Sequence, residues 1–321
     1  MSTQPKVSVC MLAYNHEKYV RQAVESVLMQ KVDFPYEIVI GEDCSTDQTA
    51  EILRDLAKKN PDVIRLRCNK KNLGMQKNGL MTLNECCCEY IACLEADDYW
   101  TDDLKLQKQI DFLESHPEYS ACFHNGKIVA ISGEVIREQY RPSPHAKTVC
   151  GFGDLARRNF VLTASIIYRR SMVLPLPEWI RLHPVGDWPM HLIASLRGPI
   201  RYLPEVMSAY RMGGTFSSQN SFARVKIVDE GYSVMINNFD LEQSNILKKA
   251  RRWNRRKTGC DFYRRGYQAI LMHDGRLAAS YLREAFRWYP ALLGRFLRDK
   301  DLFHNMKTIF FFRSNNREVN R

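Results

Sequence analysis

Three carboxylates fall within four positions at Glu95, Asp97 and Asp98, directly after the apolar run Tyr90–Leu94. The run has the character of a fully buried strand. A strand alternates its side chains between faces, so Glu95 and Asp97 point the same way if the strand persists that far. Like charges so close raise each other's pKa. A fold keeps such a cluster at the end of a buried strand when a cation or a positive ligand sits there. Hard divalent cations take oxygen ligands, and Mg²⁺ is usually held by one or two carboxylates completed by substrate phosphate oxygens. The pattern therefore reads as a metal–diphosphate site. It equally suits a strand end before a helix, with Asp98 and Asp102 as caps and dipole partners.

The preceding elements decide how this stretch is presented. Val7–Leu12 reads as a strand, Ala13–His16 as a turn, and Glu17–Gln30 as a helix with apolar residues at Tyr19, Val20, Ala23, Val24, Val27 and Leu28. Tyr36–Gly41 reads as a second strand, running into the polar turn Glu42–Asp47 and a helix over Gln48–Lys59 that Asn60-Pro61 stops. Val63–Cys68, a turn at Asn69–Gly74 and a helix over Met75–Cys88 follow. Strands alternating with single helices predict βαβ units and a parallel sheet, whose ligands bind outside the carboxyl ends of the strands. That rule puts Ala13–Glu17, Glu42–Asp47, Asn72–Asn78 and Glu95–Asp98 on one edge. The edge has neither a GxGxxG turn nor a P-loop. It is acidic, and a nucleotide diphosphate binds there only if a metal neutralises its charge.

The chain has 321 residues, room for one large α/β domain and a smaller appendage. No apolar run is long enough to span a bilayer, and no secretory leader is evident. The ten cysteines lack zinc spacing and read as reduced thiols of a cytosolic protein, with Cys86–Cys88 as small helix residues. The whole net charge of +11 is carried by residues 251–321, which hold 17 Lys and Arg against 6 Asp and Glu. The basic character bears on partners rather than on the main domain's chemistry.

The stretches VSVCMLAYNHEKYVRQAVESVLMQ, EIVIGEDCSTDQT, NLGMQKNGL and YIACLEADDYW, in this order, resemble the family 2 glycosyltransferases with the GT-A fold. The resemblance is clear over residues 6 to about 125 and fainter to about 215. It implies a Rossmann-like nucleotide-binding sheet within a mixed sheet, and inverting transfer of a sugar from a nucleotide-activated donor, a UDP-sugar before others. It implies that Ala13, Tyr14 and Glu17 line the nucleoside pocket, Asp43 hydrogen-bonds the base, and Asn72 and Lys77 flank the nucleotide. Glu95, Ala96 and Asp97 stand at the family's DxD motif: Asp97 as ligand of Mn²⁺ or Mg²⁺, Glu95 facing the ribose or the metal. The chain departs from the pattern with Glu for Asp at position 95 and Lys for the commoner Arg at 77. Each residue taken singly also has a local account, such as a turn or helix cap at Asp43 and Asp47, or an ordinary turn at Asn72-Leu73-Gly74.

Residues 126–221 supply the acceptor half of a GT-A domain expected over 1–221, whose nucleotide-sugar half is 1–125. Residues 137–160 read as an irregular acceptor-side loop. By resemblance Asp187 is the general base: the acceptor hydroxyl must lose its proton as it attacks the anomeric carbon. The same residue suits an N-cap for a helix over Trp188–Leu196. Arg211 is carried over as an arginine that closes over the diphosphate, near Gly213–Ser217; a surface arginine is its other reading. His183 and His191 lie in the same zone and read as structural.

Residues 222–321 read as a helical, basic extension, with a helix pair broken at His273-Asp274-Gly275. Trp288, Phe296, Phe303 and Phe310–Phe312 are interleaved with Arg295, Arg298, Lys300 and Arg313, which suits an anionic membrane surface or simply a solvated basic face. No nucleic-acid motif accompanies the charge. The expectation is a cytoplasmic, peripherally membrane-bound enzyme of cell-surface polysaccharide or glycolipid synthesis, with a glycan or lipid-linked acceptor. Two alternatives are a non-catalytic membrane or scaffold protein on a vestigial transferase fold, and a nucleotidyltransferase. The latter brings a Gly-rich basic loop after strand one, which AYNHEKYV is not.

Overall fold

The structure, a computed structural model, describes residues 4–141, 147–213, 220–272 and 274–298, apart from the side chain of Arg295. Two compact units emerge: Met1–Asn220 with Asn237–Phe239, and Ser221–Ile236 with Asp240–Arg321.

The first unit is built on one mixed sheet. Its strands are β1 (Val7–Ala13), β2 (Tyr36–Glu42), β3 (Ile64–Cys68), β4 (Tyr90–Glu95), β5 (Tyr99–Trp100), β6 (Ala121–Val129), β7 (Val135–Arg137), β8 (Val149–Cys150), β9 (Ile166–Arg169) and β10 (Ile200–Arg211). The order is β3-β2-β1-β4-β9-β6-β10-β5, with β7 on β6 and β8 on β10. The first four strands pair in parallel, and β9 then runs antiparallel to both β4 and β6. The helices are α1 (Val20–Leu28), α2 (Thr49–Lys59), α3 (Met75–Glu85), α4 (Lys105–Ser115), α5 (Phe152–Arg157), α6 (Arg170–Val173) and α7 (Asp187–Arg197).

Period-two alternation sorts the strand residues. Val7, Val9, Met11, Ile38, Ile40, Tyr90, Ala92 and Leu94 form one core with Val20, Val24 and Val27 of α1, Leu53 of α2 and Ile110 of α4. Each such side chain contributes about 1.5–3 kcal/mol by burial. The register leaves Cys93 and Glu95 on the opposite face of β4. There α3 packs so closely that a Cβ at Gly41 would lie 2.0 Å from Thr82 Oγ1.

Three elements differ from the sequence reading. Helix α3 stops at Glu85, and Cys86 has φ −74 and ψ 102, so Cys86–Cys88 are not helical. All ten cysteines are free thiols. Strand β4 ends at Glu95, and Asp97 and Asp98 lie in a turn closed by Asp98 N donating to Glu95 O at 3.0 Å. Strand β10, of which the sequence marks only Tyr202–Ala209 as strand, continues to Arg211 across irregularities between Leu203 and Ser208. Part of the expected acceptor loop, at 142–146, lies outside the described residues.

The second unit is helical: α8 (Ser221–Asn238), α9 (Leu241–Leu271), α10 (Gly275–Trp288) and α11 (Ala291–Arg298). Asp240 caps α9 and Asp274 caps α10, each accepting a backbone N–H three residues on. Ala269, Ile270, Ala278, Leu282 and Phe296 make one of its cores. His273, Lys300, Phe303, Phe310–Phe312 and Arg313 lie outside the described residues. No described helix is long and apolar enough to cross a membrane.

Candidate active site

The loops after the first four parallel strands are bonded to one another. Asp43 N donates to Ala13 O at 3.0 Å, and Ala96 N to Leu12 O at 3.1 Å. Asn15 and Cys44 adopt left-handed backbone, with φ of 56 and 58. This bends both chains sharply at the strand ends, and a non-glycine residue there stores strain. The bends are tied by Asn15 N donating to Ser45 Oγ and Thr46 N donating to Asn15 Oδ1. Glu17 and Asp47 exchange caps: Asp47 Oδ2 accepts from Glu17 N at 3.1 Å, and Glu17 Oε2 from Gln48 N at 3.0 Å. Desolvation alone would raise the Asp47 carboxyl, but hydrogen bonds from Thr49 and Glu17 outweigh it and hold it below the usual range. Ala13 is buried and Tyr14 exposed at this rim. Glu17 is half-buried, and one of its oxygens is already used in the cap.

Asp43, 2% exposed, clamps the neighbouring turn. Its Oδ1 accepts from Asn69 Nδ2 at 2.8 Å and Leu73 N at 2.9 Å, and its Oδ2 from Gly74 N at 2.9 Å. Gly74 has φ 82, which its missing Cβ permits. Asn72 caps the same amide at 3.0 Å and is otherwise exposed, as is Lys77 in the first turn of α3. Behind the turn, Arg67 donates to Asn78 and Thr82 and pairs with Glu85 at 2.8 Å. This polar bridge between β3 and α3 was not visible in local sequence pattern, because its partners are 11 to 18 residues apart.

At the tip of β4, Glu95 is half-buried and Asp97 has 17% of its side chain exposed. Burial, then the charges of Asp97 and Asp187, push the Glu95 carboxyl up to about 8. His16 Nε2 is 4.0 Å from Asp97 Oδ2. Asp98 points inward, 3% exposed, and accepts from Arg211 N at 2.8 Å. Desolvation and the Asp97 charge raise its carboxyl well above the usual range.

Arg211 is not where a closing arginine was expected. Its side chain is 5% exposed and lies behind the acidic turn. Its Nε donates to Asp97 O at 2.9 Å, its Nη2 to Gln22 Oε1 at 2.9 Å, and the guanidinium lies 4.5 Å from the Tyr19 ring centroid. The reason is the extended course of β10, which carries Arg211 into the sheet opposite Val129. Thr215, Phe216 and Ser217 of the same segment lie outside the described residues.

Asp187 opens α7 from within its first turn, Gly186 being the N-cap. A Cβ at Gly186 would lie 3.1 Å from Gln76 Oε1, so α7 begins against α3. Asn159 Nδ2 and Thr163 Oγ1 each donate to one Asp187 oxygen at 3.0 Å. The Asp187 charge is among the causes that raise Glu95, after burial and Asp97, so the carboxylates of β4 and α7 lie within electrostatic reach of each other. Asn159 and Thr163 were not singled out from sequence: polar residues in irregular chain give no periodic signal. Trp188 is core, its indole N–H donating to Leu155 O at 2.8 Å.

The donor set fits a hard divalent cation. At the strand tip the one described contact to these carboxylates is that of His16 Nε2 with Asp97 Oδ2 at 4.0 Å. Among the described residues no group of three or more His, Cys, Asp or Glu makes a ready metal cage.

Residues 8–172 match the family model for glycosyl transferase family 2. TuaG of Bacillus subtilis, named as a teichuronic acid biosynthesis glycosyltransferase, is 36% identical over 226 residues, covering 70% of this chain and 85% of TuaG. An uncharacterised Mycobacterium tuberculosis protein is 34% identical over 206 residues, 64% of this chain and 58% of that protein, so the chain spans little more than half its length. Among solved structures, Staphylococcus aureus TarS 1–349 in complex with UDP aligns with TM-score 0.55 and 21% identity over 97% of this chain and 92% of the other. The mannosyltransferase PcManGT of Pyrobaculum calidifontis, in complex with GDP-Man and Mn²⁺, aligns with TM-score 0.58 and 13% identity over 97% and 86%. The mixed sheet with flanking helices is thus the GT-A fold, and the chain belongs to glycosyl transferase family 2.

Proposed function

We propose that this chain is an inverting glycosyltransferase that moves a sugar from a UDP-sugar to a hydroxyl acceptor in cell-surface polysaccharide or glycolipid synthesis. The observation that carries the reading is the pairing of Glu95 and Asp97 at the tip of β4 with Asp187 at the start of α7, held by Asn159 and Thr163, its charge being among the causes that raise Glu95. The bent loops at Ala13–Glu17 and Asp43–Asp47 border the side on which a nucleoside would lie. Complexes of similar folds with UDP and with GDP-Man and Mn²⁺ support the donor class. TuaG's named role supports a polysaccharide setting.

In this mechanism Asp187 takes the proton of the acceptor hydroxyl as its oxygen attacks the anomeric carbon. The bond from that carbon to the diphosphate breaks, and the nucleoside diphosphate leaves with the bonding pair. Asn159 and Thr163 fix the carboxylate so that a free lone pair faces the acceptor. Asp97 would hold a Mn²⁺ or Mg²⁺ ion, which when bound would supply charge stabilisation to the leaving diphosphate. Arg211 is a strut here, holding the Asp97 carbonyl from behind. The basic second unit, with Leu293 and Leu297 exposed one turn apart on α11, supports a place at an anionic cytoplasmic membrane face.

The test is UDP release from UDP-glucose, UDP-galactose and UDP-GlcNAc with Mn²⁺, with water as the simplest acceptor. At least one donor should turn over, and Asp187→Asn should lower kcat by roughly 10²–10⁴ with donor Kd unchanged. Release from none of them, or full turnover in the variant, would refute the assignment.

A further inference from the structure

Behind the proposed base lies a buried pair of ionisable groups that the mechanism does not use. His191 follows Asp187 by one helical turn, and its Nε2 is 3.8 Å from Asp187 Oδ2. On its other side, Nδ1 is 2.5 Å from the Tyr168 hydroxyl, and the two rings are stacked with an interplanar angle of 22°. Both side chains are fully buried. His191 Nε2 has no hydrogen-bond partner. Tyr168 is placed by the antiparallel pairing of β9 with β4, opposite Ile91.

Elementary chemistry settles which proton sits where. Burial keeps the imidazole neutral, against the pull of Asp187, so it carries one N–H. Desolvation likewise keeps the Tyr168 phenol protonated. If Nδ1 held the proton, the Nε2 lone pair would face a carboxylate, which is repulsive. If Tyr168 donates to Nδ1, the proton lies on Nε2 and points at Asp187. The second arrangement gives the phenol an acceptor and turns the Nε2 proton toward the Asp187 carboxylate, 3.8 Å away. The other titratable groups that feel Asp187 are Glu95 and Cys93 on β4 and His183 ahead of α7. Among the described residues Asp187 has no Lys or Arg ion-pair partner, and the neutral His191 stands 3.8 Å from it.

We propose that Tyr168 and His191 are positioning residues: the phenol locks the imidazole in its Nε2–H form, and that N–H steadies the ionised Asp187 carboxylate as it waits for the acceptor proton. The gap of 3.8 Å closes to a hydrogen bond when the cleft fills, as catalytic contacts commonly do on ligand binding. The inference rests on Asp187 being the base.

The experiment measures kcat and KM for UDP release from UDP-GlcNAc, UDP-glucose or UDP-galactose, whichever the wild type hydrolyses fastest, across pH 5–9 with Mn²⁺. His191→Leu should lower kcat about tenfold and move the acid limb of the kcat profile up by about one pH unit, because the ionised base loses a donor. Its KM should stay at the wild-type value. His191→Gln, whose amide N–H can reach the same oxygen, should restore the limb. Tyr168→Phe keeps the ring and frees the tautomer, so it should lower kcat severalfold while His191 is intact; it serves if His191→Leu does not fold. A wild-type acid limb in His191→Leu, or full kcat in Tyr168→Phe, overturns the inference alone, provided Asp187→Asn is inactive. Full turnover in Asp187→Asn overturns the base assignment and the inference with it.

Discussion

Asp43 offers a quantitative test of how the turn at residues 69–74 is held. Its carboxylate accepts from Asn69 Nδ2, Leu73 N and Gly74 N, all within 2.9 Å, and is almost wholly buried. In Asp43→Asn the new oxygen can keep Asn69 and Leu73, but its NH₂ then meets the Gly74 N–H, donor against donor. One charge-assisted hydrogen bond is lost, worth about 1.5–3 kcal/mol, and a buried donor is left unmatched. Asn72 Oδ1 still reaches the Gly74 amide at 3.0 Å and recovers part of this. The net cost to the turn is about 2–4 kcal/mol. Opening of the 69–78 segment should then become roughly 30-fold to 1000-fold more frequent, since about 1.4 kcal/mol is a factor of ten. Hydrogen exchange read by mass spectrometry on peptides covering 69–78 measures this, with β1 peptides as internal control. Exchange within threefold of wild type would show that the clamp is not what orders the turn.

Arg211→Met should destabilise the first unit by about 3–5 kcal/mol, through loss of the bonds to Asp97 O and Gln22 and of the contact with Tyr19, read by urea denaturation. A loss under 1 kcal/mol would make it a peripheral group. In the second unit, hydrogen bonds and charges from Arg251 and Arg255 outweigh desolvation and hold the Asp229 carboxyl down at about 2. A carboxyl that ionises more easily when folded stabilises fully above its unfolded pKa, near 4, and loses that contribution as pH falls toward 2. With partial solvent screening this amounts to about 1–2 kcal/mol, which helix content against urea at pH 6 and pH 2.5 should show for wild type and not for Asp229→Asn.

Much of the first unit was legible because its determinants are local. Alternating apolar residues at Val7–Met11 and Ile38–Ile40, and the helical stripe Val20–Val24–Val27, each report burial on one element. A pattern of strand, acidic turn and helix start therefore placed Glu95 at the end of β4 and Asp97 in the turn after it. What escaped depends on partners far apart in the chain. Arg211 reads as an exposed residue near a glycine pair until the 113-residue link from its amide to Asp98 is known. His191 looks like an ordinary core histidine until Tyr168, 23 residues earlier on β9, is seen on its ring nitrogen. Cys86–Cys88 extended the helical pattern by composition alone. The chain leaves the helix at Glu85 because it must turn to enter β4 beside β1, a demand of the sheet.

Calorimetric titration of UDP into the protein, with and without Mn²⁺, tests the central claim most directly. Wild type should bind UDP far more tightly with the ion, and Asp97→Asn should bind weakly and equally in both conditions. Ion-independent affinity in wild type, or an Asp97→Asn variant that keeps the full Mn²⁺ enhancement, would contradict the account.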